Sequence, residues 1–367
     1  MTTKRTSLHQ FFGGFPDPRI KRNKRHELLD IIVLTILAVV CGAESWDSIE
    51  LFGKTKIDFL KQFLKLRNGI PSHDTINRVF SILDPKLFEE VFIKWVNSLR
   101  DKNIDIELIA IDGKTVRRSK DTFNEKSPVH LVNAWACKNQ LVLGQYKTKD
   151  KSNEISAIPK LLDLLDIEGS IITIDAMGTQ KAIAEKIVTK GADYILALKG
   201  NQKEINEEAQ SLFKIQKPNS TCEETEKGHG RIETRKCEVI TDLKFLDSKE
   251  KWENLNSIIK ITSKRVLKEK TESETRYYIS SLNLNAIDFN KYIRMHWSVE
   301  NSLHWTLDMV FNEDYQRKRN GRSAENFALI QKMALNILKK DQSKGSLKSK
   351  RLRAGWDNKF LLDIIKI

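Results

Sequence analysis

Two four-residue apolar segments, 108–111 (LIAI) and 171–174 (IITI), each run directly into an aspartate, Asp112 and Asp175. Short, uninterrupted runs rich in isoleucine read as central strands covered on both faces. The residue that ends such a strand points to the ligand-facing edge of its sheet. The chain must therefore build a sheet with helices packed on it. The flanking sequence supplies them in order. Segments 130–137 and 141–148 form a hairpin around a polar turn, and 155–165 is an amphipathic helix. After 171–174 comes a second helix, 180–190, stopped by Gly191, and then a strand, 194–198, ending at Lys199-Gly200. This is a mixed α/β sheet with an antiparallel start and a parallel continuation.

Residues 1–103 have a different texture. Segments 27–43, 46–52, 56–65 and 85–99 lack strand alternation and are separated by turn residues such as Gly53 and Asn68-Gly69, so this part is read as an all-α domain. Ser72 is placed to cap a helix whose Ile76, Val79, Phe80 and Leu83 share a face. With the preceding helix it forms either a helix-turn-helix, turning Asn77 and Arg78 toward a DNA groove, or an ordinary helix pair. Residues 201–285 interrupt the sheet pattern with strand-prone segments at 230–240, 257–266 and 276–282, a β-rich insertion. Helices at 286–311 and 324–339 follow, so 104–340 is read as one catalytic domain and 341–367 as a basic tail.

Charge narrows the partners. The 367 residues carry a formal net charge of +14, which calls for an anionic partner, with nucleic acid first among candidates. The excess is clustered at Arg19, Lys21, Arg22, Lys24 and Arg25; at Lys114, Arg117, Arg118 and Lys120; and from Lys339 to Arg353. Three separated runs favour a long polyanion, bound through phosphates without sequence preference. The apolar run 31–43 is shorter than the roughly 20 residues of a membrane span, and no signal peptide is read at the N-terminus. The four cysteines form no C-x-x-C pair, which argues against a disulfide scaffold or zinc ribbon and fits a cytoplasmic, nucleoid-associated protein. No P-loop, H-E-x-x-H or G-x-S-x-G motif is present.

Asp112 and Asp175 each have a bland reading: Asp112-Gly113 as a turn, Asp175 as a helix cap. Sharing one sheet beside the Lys114–Lys120 run, they also suit a divalent-cation site, because hard cations take carboxylate oxygens from adjacent strands. Glu300 is the third candidate. It lies near the apolar stripe of helix 286–311 formed by Tyr292, His296, Val299, Leu303, Leu307 and Val310, where a carboxylate is costly unless paired or metal-bound. The alternative is a Glu300–His304 pair at the helix margin.

The stretches AIDGKTVRRS (110–119), KSNEISAIPKLL (151–162), IITIDAMGTQKAIAEKI (171–187), YILALKGNQ (194–202), GHGRIETR (228–235), RYYISS (276–281) and HWSVENSLHWTLDMVFNED (296–314) together resemble a bacterial insertion-sequence transposase with an Asp-Asp-Glu site. The resemblance is closest to the H-repeat-associated group and extends over residues 27–53 and 68–83. It implies a ribonuclease H-like catalytic core with a strand insertion before the last carboxylate, and Asp112, Asp175 and Glu300 as ligands of Mg²⁺, with Mn²⁺ as a substitute. It also implies cleavage of double-stranded DNA at element ends, joining of 3′-hydroxyls to target DNA, and a homodimer on DNA. A nuclease without strand transfer and a non-catalytic DNA-binding descendant are the alternatives. Related transposases carry Y-x2-R-x3-E-x6-K around the glutamate. Here Ile293, His296 and Leu307 occupy those places, which leaves Lys199, Asn201, Gln202, Arg231 and His296, with Lys114, Arg117 and Arg118, as the candidate DNA contacts.

Overall fold

A computed structural model of the chain describes residues 7–20, 24–101, 103–121, 125–148, 154–228, 230–267 and 270–366. Lys21, Arg22, His229 and residues 151–153 of the sequence motifs lie outside them. The described residues build one nine-stranded sheet: β1 Leu108–Val116, β2 Val129–Ala136, β3 Leu141–Thr148, β4 Ile171–Ile174, β5 Asp193–Leu198, β6 Ser220–Gly228, β7 Arg231–Ile240, β8 Ser257–Leu267 and β9 Lys270–Ser280. Their order is β3-β2-β1-β4-β5-β9-β8-β7-β6. β1, β4 and β5 are parallel and every other neighbour is antiparallel. The first five strands, with helices Glu154–Leu164 and Lys181–Thr189 as connections, form the ribonuclease H-like arrangement expected from the apolar runs.

One expectation about β1 is corrected. The strand does not end at Ile111 but runs through Asp112-Gly113 to Val116, so that dipeptide is not a turn. The cause is β2, which extends past the end of β4 and offers Asn133, Val132, Leu131, His130 and Val129 as partners for residues 112–116. β4 pairs with β1 only as far as Ile111 and Ile174. The next residue on each parallel strand is an aspartate, exposed on one side by the missing continuation of β4.

The insertion extends the same sheet, because β9 pairs with β5. It also holds a helix, Lys203–Ile215, and a polar strand, β6, that periodicity does not reveal. β6 through β9 form a meander whose β5-side ends are buried and whose distal ends are exposed. Cys222 and Cys237, unremarkable in sequence, are register partners across β6 and β7.

The N-terminal part is helical as expected, but it is not packed as a separate body. Helix Leu28–Val40 is buried along its length and lies on helix Ser323–Lys340, in a hydrophobic core continuous with the sheet. Among the described residues no helix is long and apolar enough to cross a membrane. Ser72 caps helix His73–Ile82. That helix packs on Trp46–Thr55 and Ser323–Lys340, while its chain predecessor shrinks to Ile57–Leu60. Asn77 turns inward to accept a hydrogen bond from Ser323 Oγ at 3.2 Å, and only Arg78 remains exposed. The groove-reading role expected of Asn77 is therefore corrected to a contact between helices.

The basic tail is corrected as well. Residues 341–367 contain helices Leu347–Trp356 and Asn358–Ile364, docked by Ala354, Phe360 and Leu361. Two of its cations are buried because backbone carbonyls receive them. The Arg351 guanidinium donates to Val310 O and Val39 O and lies 4.4 Å over the Phe311 ring. Lys350 Nζ donates to Asp341 O and sits 3.0 Å from its carboxylate.

Candidate active site

Asp112 and Asp175 come from adjacent parallel strands at the edge where ligands bind in open α/β sheets. Glu300 approaches from the helices above. The expected single helix 286–311 is broken: Ala286–His296 is α-helical, Val299–His304 forms a π-helical turn in which Trp305 N–H reaches Glu300 O, and Trp305–Met309 resumes the helix. Such turns shift side chains off the α-helical phase and concentrate at functional sites. The turn is pinned to the sheet on both sides. His296 Nδ1 lies 2.9 Å from Thr173 Oγ1 on β4, and Trp135 Nε1 on β2 donates to Ser298 Oγ at 3.0 Å. Glu300 is thereby held over the edge but left exposed.

All three acids line one cavity of about 630 Å³, whose far wall is β9 with Arg276 and Tyr278. Among the described residues, no three side chains of His, Cys, Asp or Glu are already drawn together around a single point. The acids face a shared space and would converge on a cation entering it. Burial, reinforced by the carboxylates of Asp175, Glu300 and Glu154, pushes Asp112 up to about 7 against the bond from Gly113 N–H. Burial also raises Asp175, with Glu154 adding to it, while the Gly178 N–H and Lys199 oppose it. His304 Nδ1 lies 3.5 Å from Asp112 Oδ2, and its Nε2 is buried without a partner. Self-repelling carboxylates beside an orphaned imidazole nitrogen fit a hard divalent cation, whose charge would reverse the local balance.

The other candidate residues separate into groups. Asn201 Nδ2 donates to Ala176 O at 2.7 Å and Gln202 Nε2 to Thr179 O at 3.0 Å, so both brace the loop that follows Asp175 rather than facing DNA. His296 is no phosphate-gripping cation, because burial and Arg276 push it down to about 4 and its ring is spent on Thr173. Ile293 and Leu307 are buried. Lys114 is also withdrawn: it is buried among Asp308, Glu313 and Asp314. Arg117 and Arg118 stay exposed, the latter 4.8 Å over the Tyr315 ring. Lys199 stands exposed at the cavity rim. Arg231 lies at the distal tip of the β6–β7 hairpin, away from the acids.

Sequence reasoning missed Arg276, which grips Glu274 with both nitrogens at 2.8 and 3.1 Å and lies 5.0 Å from the Trp297 ring centre. It also missed Glu154 and His130. The stretches RYYISS and KSNEI marked their neighbourhood, but no periodicity or spacing singled them out.

Fold and site together define a ribonuclease H-like protein whose acids gather at the carboxyl edge of the central strands. Residues 103–337 match the family described as "Transposase DDE domain", and residues 9–96 match the DDE_Tnp_1-associated family. The chain belongs to the DDE transposase family, in its H-repeat-associated group. It is 44% identical to YbfL of Escherichia coli K12 over 98% of this chain and 97% of that one, and equally similar, with the same coverage, to the H repeat-associated protein YhhI. A short relative, the inactive transposase YbfQ, is 56% identical over 18% of this chain and 79% of its own. The solved piggyBac transposase synaptic complex with hairpin DNA is a distant likeness, at 11% identity and a TM-score of 0.44, covering 98% of this chain and 78% of that one.

Proposed function

We propose that this chain cleaves phosphodiester bonds at insertion-sequence ends and joins the resulting 3′-hydroxyls to target DNA. The observation that carries the reading is the register of β1 and β4, which sets Asp112 and Asp175 side by side beyond the last shared pair, with Glu300 facing the same cavity. These three carboxylates would hold two Mg²⁺ ions, or Mn²⁺ in their place. Bound there, divalent cations lower the pKa of an attacking water or hydroxyl and stabilise the leaving oxygen. The chain's own contribution is placement. β2 keeps β1 extended through Asp112, Asn201 and Gln202 fix the loop behind Asp175, and the π-helical turn aims Glu300. Lys199 at the rim and Arg276 on the opposite wall supply positive charge for the scissile strand, while Arg78, Arg117 and Arg118 lie where flanking phosphates would run. The partner is double-stranded DNA, element ends and target alike, held by a homodimer in the bacterial cytoplasm.

Asp175→Asn tests the assignment. Metal-dependent cleavage of DNA carrying the element's ends should fall by about a thousandfold or more, the scale of losing preorganised charge stabilisation, with DNA binding retained. Undiminished cleavage by that variant would sink the reading.

A further inference from the structure

A fourth acid stands behind the three. Glu154 opens helix Glu154–Leu164, which packs on β2 and β3, and its side chain is almost completely buried. A buried carboxylate is expensive unless something receives it. Glu154 Oε1 lies 2.6 Å from His130 Nε2, and the other ring nitrogen, Nδ1, lies 2.7 Å from Thr115 Oγ1. His130 and Thr115 are register partners on β2 and β1. A carboxylate–imidazole–hydroxyl chain thus ties the start of that helix to the strand that carries Asp112.

Gly113 gives the second, independent observation. It sits in ordinary extended pairing with Val132 and has no positive φ, so the backbone does not require glycine there. Space does. A Cβ at this position would fall 2.6 Å from Glu154 Cδ and 2.8 Å from His130 Nε2. Successive strand residues face opposite sides of a sheet, so Glu154 and His130 stand on the face opposite Asp112, pressed against the strand one residue beyond it. The charge of Glu154 reaches across the edge and raises both Asp112 and Asp175. A purely structural ion pair would not need to be driven into the backbone beside two other acids.

We propose that Glu154 is a fourth carboxylate of the metal centre, brought beside Asp112 and Asp175 from the far face of the sheet through the gap left by Gly113, and held there by His130 and Thr115. The proposal rests on the reading of Asp112, Asp175 and Glu300 as metal ligands. It makes His130 and Thr115 positioning residues, acting through Glu154 as outer-shell partners act through a ligand.

Mn²⁺ binding to the full chain without DNA, followed by the loss of the free-ion paramagnetic resonance signal, tests it separately from activity. Glu154→Gln keeps an acceptor for His130 and removes only the charge. It should weaken Mn²⁺ binding by about tenfold or more, as loss of groups in and around a metal shell does, without lowering the melting temperature in chelator, where one like charge has been removed. Gly113→Ala, which displaces the carboxylate instead of deleting it, should weaken Mn²⁺ in the same direction, and Glu154→Asp should restore part of the affinity. Unchanged affinity in Glu154→Gln alongside a loss in Asp175→Asn would overturn the fourth carboxylate and leave the three-acid site standing. Unchanged affinity in both would overturn the three-acid site, and the fourth ligand with it. A lowered melting temperature in chelator with unchanged Mn²⁺ affinity would show a structural ion pair and overturn the proposal.

Discussion

Two acidic clusters stand two residues apart on one face of β1, and they are balanced in opposite ways. Around Lys114, the carboxylates of Asp308, Glu313 and Asp314 lie 2.7, 3.3 and 3.4 Å from Nζ, and a second buried cation, Lys332, stands 4.0 Å from Glu313. Burial works against the Lys114 charge, but the three carboxylates outweigh it and its pKa is raised. That cluster carries its own cations and is closed. Around Asp112 the neighbours are Asp175, Glu300 and Glu154, and the nearest basic side chains are a neutral His304 and, toward Asp175, the exposed Lys199. A protein that can neutralise acids internally at one point of a strand and leaves them unbalanced two residues earlier has reserved the second place for a cation from outside.

The largest stability effect should come from breaking the closed cluster. Lys114→Met strands three carboxylates around a buried site and should cost about 3–5 kcal/mol, the scale for removing one partner of a buried charge network, read by denaturant unfolding. Asp112→Asn, on the same face of the same strand, should cost far less or stabilise the metal-free chain. Equal losses in the two variants would erase the distinction between the clusters.

A smaller effect concerns His296, which occupies the place of the family's arginine. Its folded pKa, about 4, lies below the ordinary 6.5, so the unfolded chain takes up the proton first as pH falls. Its contribution to stability is present above pH 6.5 and is lost between 6.5 and 4, at most about 3 kcal/mol for a shift of that size. His296→Gln, which can still bond Thr173, should flatten that part of the pH–stability profile; an unaltered slope would show that His296 titrates normally. The smallest effect belongs to Arg117, whose side chain is 80% exposed beside Asp314. Arg117→Ala should change stability by less than about 0.5 kcal/mol. It should reduce the steepness of the salt dependence of DNA binding by about one unit if it meets a phosphate, and an unchanged slope would remove it from the interface.

The contrast also explains what the sequence made legible. LIAI and IITI announced central strands because burial on both faces leaves an uninterrupted apolar run, and the two aspartates followed from where those runs stop. The continuation of β1 through Asp-Gly-Lys was hidden, since a dipeptide that reads as a turn stays extended only because β2 overhangs β4. β6, with the sequence STCEETEKG, lacks alternation because most of it is exposed. Glu300 was found from a 100° periodicity, but its aim depends on a π-helical turn that such a periodicity cannot express. Lys350 and Arg351 looked like solvated tail charges because the carbonyls that bury them belong partly to helix Leu28–Val40, more than 300 residues away in sequence. Glu154 could not be recognised until Gly113 and His130 were seen on either side of it.

The account turns on one claim, that the cluster at Asp112 awaits a cation and the cluster at Lys114 does not. Anomalous diffraction from crystals equilibrated with Mn²⁺ tests it most directly. The account predicts density between Asp112 and Asp175, within reach of Glu300, and none among Asp308, Glu313 and Asp314. An empty site between the two aspartates at saturating Mn²⁺, or a peak beside Lys114 instead, would contradict it.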